Sequence, residues 1–359
     1  MNASIQIGKI MGIPIKLHIT FILILPVFAY WFSISNPNFG FNDLNQQPVL
    51  KYALSLSAAI ALFACVLLHE LGHSYVAKKH GTNIQSITLF LFGGVSSMEE
   101  IPRDPRIELK MALAGPAVSL LIGSVLIIIN GLFADAGSPY LRLVWLVGYI
   151  NIVLFVFNLI PAFPMDGGRV FRAWLAGSMS YIKATRAAAG IGKMFAIFMG
   201  IIGLLGLSPW LILIAFFIYI GASEEEKATE VSVILEGVKI KDIMSKEVRT
   251  VNSTMSVEEL VDFMFRFKHM GYPVMDDGVL KGIVTFTDVQ KVPKEERNKV
   301  KVLQIMTQEL ITIKENDDAV MALKLMTANN IGRIIIKSDD KMTGIVSRTD
   351  LLRAVELLE

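Results

Sequence analysis

Long apolar stretches constrain how this chain of 359 residues can fold more than any other feature. Most of them approach the roughly 20 residues that an α-helix needs to cross the hydrocarbon core of a bilayer. Hydrophobic residues make up 53% of the chain, which is too large a share for an ordinary soluble protein. We therefore predict a multi-pass α-helical membrane protein with about six transmembrane helices. The stretches lie near residues 14–33, 51–77, 107–133, 141–160, 186–207 and 209–222.

Basic residues are concentrated in two of the connections between these stretches. An even number of spans places both termini on the same side of the membrane, and connections rich in Lys and Arg face the cytoplasm. This predicts a protein of the cell membrane with both termini in the cytoplasm. The basic residues are Lys78, Lys79, Arg103, Arg106 and Lys110 between the second and third stretches, and Arg169, Arg172, Lys183 and Arg186 between the fourth and fifth.

The composition changes after the last apolar stretch. Residues 1–222 carry 14 Lys and Arg against 8 Asp and Glu, whereas the remainder carries 20 against 24. This balance favours neither a nucleic-acid-binding protein nor a polybasic lipid sensor. The single cysteine, Cys65, excludes an intrachain disulfide and a cysteine-rich metal site, and suggests that the soluble part lies in a reducing cytosol. We predict a membrane domain over residues 1–223, a charged linker of helical character over 224–237, and a soluble domain after it.

The soluble part contains an internal repeat. The segment from Asp242 to Asp288 aligns with the segment from Gln304 to Asp350 at a constant offset of 62 residues. Each copy is predicted to hold a helix, two short strands joined by a turn, and a final strand that leads into a helix. The copies resemble the tandem CBS domain pair, with a first motif at 238–291 and a second at 298–359. The resemblance implies a soluble α/β domain, and because such pairs often associate, it also implies a homodimer.

CBS pairs commonly bind adenine nucleotides, so the resemblance further implies a site for ATP or AMP. A hydroxyl at a helix start, Thr285 or Ser347, can receive a phosphate, and Asp288 or Asp350 can accept ribose hydroxyls. The alternative is that these four residues only cap their helices. The basic residues that we consider as phosphate partners are Lys281, Arg333 and Arg348.

A His-Glu-Leu-Gly-His motif lies inside the second apolar stretch. His69 and His73 are spaced i, i+4, so both lie on one face of a helix and can share a metal ion, with Glu70 beside them. Inserting ionisable residues into a lipid-embedded helix is costly, which usually marks a functional site. The alternative is two interior histidines and a snorkelling glutamate. Cys65, one turn earlier, is interpreted as a small packing residue.

Two histidines leave a catalytic zinc site short of a third protein ligand. Asp166 lies in an apolar segment, residues 158–168, that two prolines and two glycines interrupt. Lipid tolerates such a broken helix only where protein or a wet cavity receives the unpaired backbone groups. The segment is therefore a suitable place for the missing ligand, the alternative being an interfacial loop with a helix-capping aspartate.

These two motifs together resemble the site-2 protease family of intramembrane zinc metalloproteases over about residues 7–222. Supporting motifs are Gly12 to Ile15, Phe92 to Val95 and Ala114 to Pro116. The resemblance implies one Zn²⁺ per chain, a zinc metalloendopeptidase activity, a membrane-protein substrate and cleavage near the cytoplasmic face. Carried over residue by residue, it makes His69, His73 and Asp166 the zinc ligands and Glu70 the catalytic base.

Three further expectations depend on this reading. Asn158 can donate to the developing oxyanion or fix the substrate backbone, the alternative being a structural cap at the broken helix. The β-prone segment 87–95 is expected to bind an extended stretch of substrate beside the active site. Nucleotide bound to the CBS pair is expected to regulate cleavage. The rival functions are a nucleotide-regulated channel or transporter and a catalytically silent membrane tether. Both of these predict that Glu70→Gln leaves the function of the protein intact.

Overall fold

The structure, a computed structural model, describes residues 4–90, 93–98, 104–133, 138–338 and 341–358. It divides into two compact units, residues 1–229 and residues 230–359. Phe92 of the predicted glycine motif and Arg103 of the basic connections lie outside the described residues.

Helices dominate the first unit. Four of them are long and apolar enough to cross a membrane, judged by length and composition: α2, α3, α4 and α6. Proline stands at the first position of α2, α3 and α4, where its missing N–H costs no helical hydrogen bond. The helices that begin in this unit are α1 Ile19–Ile34, α2 Pro48–Lys79, α3 Pro105–Leu132, α4 Pro139–Asn158, α5 Asp166–Ala176, α6 Tyr181–Leu205 and α7 Pro209–Ile234, the last of which ends in the second unit.

The predicted count of about six spans remains a prediction for its first and last members. The first apolar stretch begins as a strand, and α1 itself has only 16 residues because it starts at Ile19. The last stretch forms the first half of α7, which continues as one helix through Glu224–Glu226 and most of the predicted linker to Ile234. Each of these two helices is therefore apolar over a shorter length than the other four.

A four-stranded sheet packs beside these helices. Its order is β1-β2-β3-β4, with β2 and β3 parallel and the two outer pairs antiparallel. The β-prone segment predicted over 87–95 forms strand over its described residues, 87–90 and 93–95, and β4 is an edge strand among the described strands of the sheet. The strands are β1 Ser4–Ile10, β2 Ile13–His18, β3 Ile84–Phe90 and β4 Gly93–Met98.

The second unit has the predicted α/β repeat. Its first copy forms a two-stranded sheet and its second copy a three-stranded sheet. The predicted Asp-Gly turn is present, since Asp277 and Gly278 both have positive φ and join β5 to β6. The elements are α8 Ile240–Ile243, α9 Val257–Phe267, β5 Gly271–Asp276, β6 Val279–Thr285, α10 Phe286–Gln290, α11 Val302–Ile305, β7 Thr312–Ile313, α12 Ala319–Ala328, β8 Arg333–Ser338, β9 Lys341–Ser347 and α13 Arg348–Leu358.

The first segment of each copy pairs with a strand of the other copy. Ser245, at the start of the first copy, pairs with Ile345 of the second, and Thr307, near the start of the second, pairs with Ile283 of the first. Each sheet consequently packs its own apolar core, one around Leu260 and the other around Met326. Because each core uses chain from both sides of the repeat boundary, neither copy is a self-contained folding unit.

Candidate active site

His69, His73 and Asp166 meet at one point in the first unit. The Nε2 atoms of His69 and His73 lie 3.1 Å and 3.2 Å from Oδ2 of Asp166, and 3.1 Å from each other. Both histidines are buried and Asp166 is half-buried. The three predicted ligands, which are 97 residues apart at their extremes, thus present three donor atoms to a common centre.

The broken segment before α5 brings Asp166 to the histidines. Helix α4 ends at Asn158, and Asp166 is the first residue of α5. A Cβ atom added to Gly167 would lie 2.2 Å from the carbonyl oxygen of Ile160, and one added to Gly168 would lie 2.6 Å from the Phe163 nitrogen. The two glycines therefore allow the segment to fold tightly back on the start of α5, which fixes where the Asp166 carboxylate points.

The other nitrogen of each imidazole is held by α3. Nδ1 of His73 lies 2.7 Å from the Met111 carbonyl oxygen, and Nδ1 of His69 lies 2.9 Å from Oγ of Ser119. A carbonyl oxygen can only accept a hydrogen bond, so the proton of neutral His73 is on Nδ1 and the Nε2 lone pair is free. The Ser119 hydroxyl can accept from His69 in the same way. Both Nε2 atoms are then ready to bind a metal.

Gly115 lets α3 approach the two imidazoles closely. A Cβ atom at this position would stand 2.2 Å from Nε2 of His73 and 2.6 Å from Nε2 of His69. Gly115 belongs to the Ala114-Gly115-Pro116 motif, one of the motifs that carry the family resemblance. The face of α3 that carries the glycine forms one wall of the ligand cluster.

Glu70 is held from the side of the sheet. Oγ of Ser96 in β4 donates to Oε2 of Glu70 at 2.8 Å and lies 3.3 Å from Oγ of Ser74, which is fully buried. A Cβ atom added to Gly94 would lie 2.4 Å from Cγ of Glu70. The glutamate therefore stands between the ligand cluster and the edge strand, with one carboxylate oxygen engaged.

Neither Asn158 nor Cys65 takes part in the contacts described above for the three ligands and Glu70. Asn158 is half-buried at the last turn of α4, and the contacts of the three ligands and of Glu70 do not include it. Its proposed role toward substrate stays a prediction. Cys65 is buried in α2, as expected of a packing residue.

The residues present fit a zinc ion. Zinc takes imidazole nitrogen and carboxylate oxygen, and a catalytic site uses three protein ligands with one position left for water. The structure offers two Nε2 atoms and one carboxylate oxygen, all within 4.8 Å of one another. Burial of both imidazoles and the support of each Nδ1 atom are what a preformed metal site requires.

Sequence reasoning missed Ser96, Ser119 and the Met111 carbonyl. Each is set beside its partner by tertiary packing, and a lone serine or a backbone carbonyl gives no signal in spacing or composition. A partial signal existed for Ser119, since a hydroxyl inside a long apolar helix usually has a hydrogen-bond partner in the protein.

The predicted nucleotide residues form two matching helix starts. Backbone N and Oγ1 of Thr285 donate to Oδ2 of Asp288 at 3.0 Å and 2.7 Å, and Ser347 donates to Asp350 at 2.8 Å and 2.6 Å. Asp288 is also paired with Lys291 at 3.0 Å. All four side chains therefore serve as helix caps. Within its own copy, Asp288 has both carboxylate oxygens engaged and Asp350 has Oδ2 engaged.

Arg333 is the basic candidate that the structure places between the two copies. Its Nη1 atom donates to the Gly271 carbonyl oxygen at 2.6 Å, across the repeat boundary. Burial lowers the pKa of Arg333 from its ordinary value, and within the described part of the chain no carboxylate forms an ion pair with it. Arg348 instead donates to the carbonyl oxygens of Ile331 and Met326.

Known proteins resemble both parts of the chain. The profile described as peptidase family M50 matches residues 57–136 and 132–202, and the CBS domain profile matches residues 240–295 and 302–357. A zinc metalloprotease of Methanocaldococcus jannaschii is 41% identical over 359 residues, covering 100% of this chain and 98% of the relative.

Solved structures resemble the two parts separately. The site-2 protease from Methanocaldococcus jannaschii is 46% identical, covers 62% of this chain and 95% of its own, and has a TM-score of 0.47. A CBS domain pair in complex with 5′-methylthioadenosine and S-adenosyl-L-methionine is 28% identical, covers 34% of this chain and 98% of its own, and has a TM-score of 0.32.

Identity of 41% along the whole chain is decisive for the family, because it spans the apolar helices and the repeat together. The two profile matches fall on the same two parts. The chain belongs to peptidase family M50, the site-2 protease family of zinc metalloproteases, and carries a C-terminal pair of CBS domains.

Proposed function

We propose that this protein is an intramembrane endopeptidase that hydrolyses peptide bonds in or near the transmembrane segments of membrane-bound proteins. The observation that carries the proposal is the convergence of His69, His73 and Asp166, because two of the three donors belong to α2, a helix long and apolar enough to cross a bilayer. In this proposal the three residues hold one zinc ion and Glu70 is the catalytic base.

The chemistry follows from the residues around that centre. Zinc, when bound, lowers the pKa of a water molecule and polarises the scissile carbonyl group. The carboxylate of Glu70 takes up the proton released from the attacking water and returns it to the leaving amine nitrogen. Ser96 holds Oε2 of Glu70 at 2.8 Å, so Oε1 is the oxygen available for proton transfer. Glu70 is half-buried with Gly94 of β4 against its Cγ atom, so the sheet excludes bulk water from one side of this group.

Strand β4 offers a place for the substrate. Among the described strands it lies at the edge of its sheet, Gly94 packs against Cγ of Glu70, and Gly93 has nothing within 4 Å of an added Cβ atom, which leaves room for a second backbone. In our proposal an unwound stretch of substrate pairs with this edge, because a helical peptide hides its carbonyl groups. Backbone N-methylation of the substrate next to the scissile bond tests the pairing: the proposal expects slower cleavage, and an unchanged rate would contradict it.

Glu70→Gln and Asp166→Ala separate this function from its rivals. Glu70→Gln removes the base but no ligand, so cleavage should fall by a factor of about 10² to 10⁴ while zinc content stays at one per chain. Asp166→Ala should lower both zinc content and cleavage. The measurements are metal analysis of the purified chain and cleavage of a membrane-protein substrate in detergent or vesicles. Unchanged function in Glu70→Gln would favour the transporter or tether, and unchanged zinc in Asp166→Ala would remove that ligand.

We also propose that the CBS pair lies in the cytoplasm, binds an adenine nucleotide and controls cleavage, in a chain that assembles as a homodimer. The basic connections support the orientation. The half-buried Arg333 between the two copies supports a phosphate-bearing ligand. The first point is tested by adding protease to the cytoplasmic face of sealed vesicles. A CBS pair that is not digested under these conditions would refute the cytoplasmic location. Light scattering of the purified chain tests the dimer, and a monomeric mass would refute it.

A further inference from the structure

A buried arginine joins three helices of the first unit. Arg172 of α5 is only 2% exposed, and its Nε atom donates to Oε1 of Glu108 in α3 at 2.7 Å; Glu108 is only 1% exposed. On the other side, Nη1 of Arg172 donates to Oε1 of Glu225 in α7 at 3.0 Å and lies 3.4 Å from Oγ1 of Thr229. A buried guanidinium needs such complete pairing to offset the loss of its hydration.

Two aromatic rings complete the environment of Arg172. The ring centres of Phe163 and Tyr181 each lie 4.8 Å from its Cζ atom, within the range of a cation–π interaction. Phe163 belongs to the broken segment that leads directly to Asp166. Arg172 therefore belongs to the helix that begins with Asp166 and also contacts the segment that precedes this helix.

A continuous series of contacts leads from Arg172 in α5 through α3 and His73 back to Asp166 in α5. Asp166 and Arg172 are carried by the same short helix, α5, and Arg172 is paired with Glu108 in the first turn of α3. The next turn of α3 holds Nδ1 of His73 through the Met111 carbonyl. His73 then returns to Asp166 at 3.2 Å. A shift of α5 relative to α3 would open this last distance.

We propose that Arg172 is a positioning residue that sets the distance between Asp166 and the two histidines, with Glu108 as its anchor on α3 and Glu225 as its anchor on α7. The inference rests on the proposed zinc site. Arg172 touches neither the ligand atoms nor the substrate groups named above, so it acts only through where it holds α5. The bidentate reach to two carboxylates on different helices requires the planar guanidinium, which a lysine ammonium does not reproduce.

The test measures zinc affinity of the full-length chain by competition with a chelator, together with kcat and KM. Arg172→Lys keeps the charge but loses the fork, and zinc affinity should fall by about tenfold or more, as it does when groups that orient metal ligands are removed. Glu225→Gln, which keeps a hydrogen-bond acceptor, should give a smaller fall in the same direction. In both variants kcat should drop while KM stays near that of the wild type.

The neighbouring residue offers a matched control. Glu226 lies one position further along α7 and is paired with Lys193 of α6 rather than with α5. Glu226→Gln therefore removes the same charge from the same helix turn but should leave zinc affinity unchanged. Melting temperatures recorded in parallel separate positioning from general destabilisation.

The outcomes are distinct. Zinc affinity that is unchanged in Arg172→Lys and Glu225→Gln, or lowered equally in Glu226→Gln, would overturn the positioning role. If Arg172→Lys does not fold, the comparison of Glu225→Gln with Glu226→Gln decides alone. A wild-type chain that binds no zinc at all would instead overturn the proposed function on which this inference depends.

Discussion

Ser119 and the Met111 carbonyl determine how the two histidines are presented. Each engages an Nδ1 atom, which turns both Nε2 atoms toward Asp166. The two supports differ in strength of constraint, because the carbonyl fixes the tautomer of His73 whereas the Ser119 hydroxyl can donate or accept. Ser119 is only 1% exposed, so no water competes for its hydroxyl from the bulk. The residue most easily tested is therefore Ser119.

Ser119→Ala should weaken zinc binding without abolishing it. The substitution removes the only side-chain partner recorded for Nδ1 of His69 among the described residues, so the ring becomes free to rotate or change tautomer. Loss of such a partner typically costs about 10-fold to 100-fold in metal affinity. Competition with a chelator measures the effect, and Ser124→Ala in the same helix is the control. Equal affinities for the two variants would show that Ser119 does not orient His69.

At the residue scale, the sequence was sufficient to predict the ligand cluster but not the residues that support it. The spacing of His69 and His73 on one helix face, and the broken segment around Asp166, were enough to predict that three distant residues converge, and the structure brings them together. The contact of Ser96 with Glu70 could not be predicted, because it arises only when the sheet that contains β4 packs against α2. Periodicity reports which face of an element is apolar, and not which residue of another element lies opposite.

Helices α2 and α3 can pack at the ligand cluster only because small residues line their contact. Gly72 faces the carbonyl oxygen of Ala114, and Gly115 faces both imidazoles. Small residues that let backbones approach are the usual device for packing helices in lipid, where apolar surface alone provides little drive for association. The contact is thus both structural and part of the site's geometry.

Gly115→Ala should abolish zinc binding. Its methyl group would stand 2.2 Å from Nε2 of His73, so either the imidazole leaves its position or α3 moves away from α2. Gly131→Ala is the matched control in the same helix, because nothing lies within 4 Å of the added carbon; it should be neutral or stabilise the helix by up to about 1 kcal/mol. Metal analysis and thermal unfolding distinguish the two. Full zinc content in Gly115→Ala would mean that the cluster does not have this geometry.

Apolar length alone could not decide the elements at the ends of the membrane part. The first stretch was predicted as one span from residue 14, yet Ile13–His18 pairs as β2 with β1 and β3 before α1 begins. Strand and helix compete for the same apolar residues, and the winner is set by the partners available in the fold. Likewise, no helix end marks the predicted start of the linker at residue 224, because the glutamates after Ser223 are good helix formers and α7 continues through them, in keeping with the helical character predicted for the linker.

At the scale of the whole molecule, α7 crosses the boundary between the two units, which falls after residue 229. The helix begins at Pro209, carries Glu225 in the first unit and runs to Ile234, whose side chain packs against the core of the second unit. The repeat in the second unit was predicted from a constant offset. The exchange of segments between its copies was not, because the pairing of Ser245 with Ile345 links residues 100 positions apart that share no sequence signal.

The copies of the repeat are not equivalent at the position where Arg333 lies. The corresponding residue of the first copy, 62 positions earlier, is Gly271, and the arginine extends over that glycine to its carbonyl oxygen. The guanidinium is thus half-buried between the copies, its pKa lowered by that burial. It remains charged near neutral pH, because arginine titrates far above that range. The charge of Asp350 acts on Arg333 in the direction that raises its pKa, but forms no ion pair with it among the described residues; a phosphate group bound here would pair with the guanidinium directly.

Arg333→Met should therefore weaken AMP or ATP binding by about tenfold or more, since hydrogen bonds to a charged group contribute about 1.5–3 kcal/mol. Binding of adenosine, which has no phosphate, should change little. Lys281→Met, which removes an exposed charge from the same domain, is the control. Titration of each nucleotide into the full-length chain measures affinity, and the cleavage rate with and without ATP measures regulation. If Arg333→Met bound AMP and ATP with the affinity of the wild type, the phosphate would have to bind elsewhere in the CBS pair. Absence of binding in the wild type would leave Thr285, Asp288, Ser347 and Asp350 as helix caps alone, and a cleavage rate indifferent to bound ATP would reject nucleotide control.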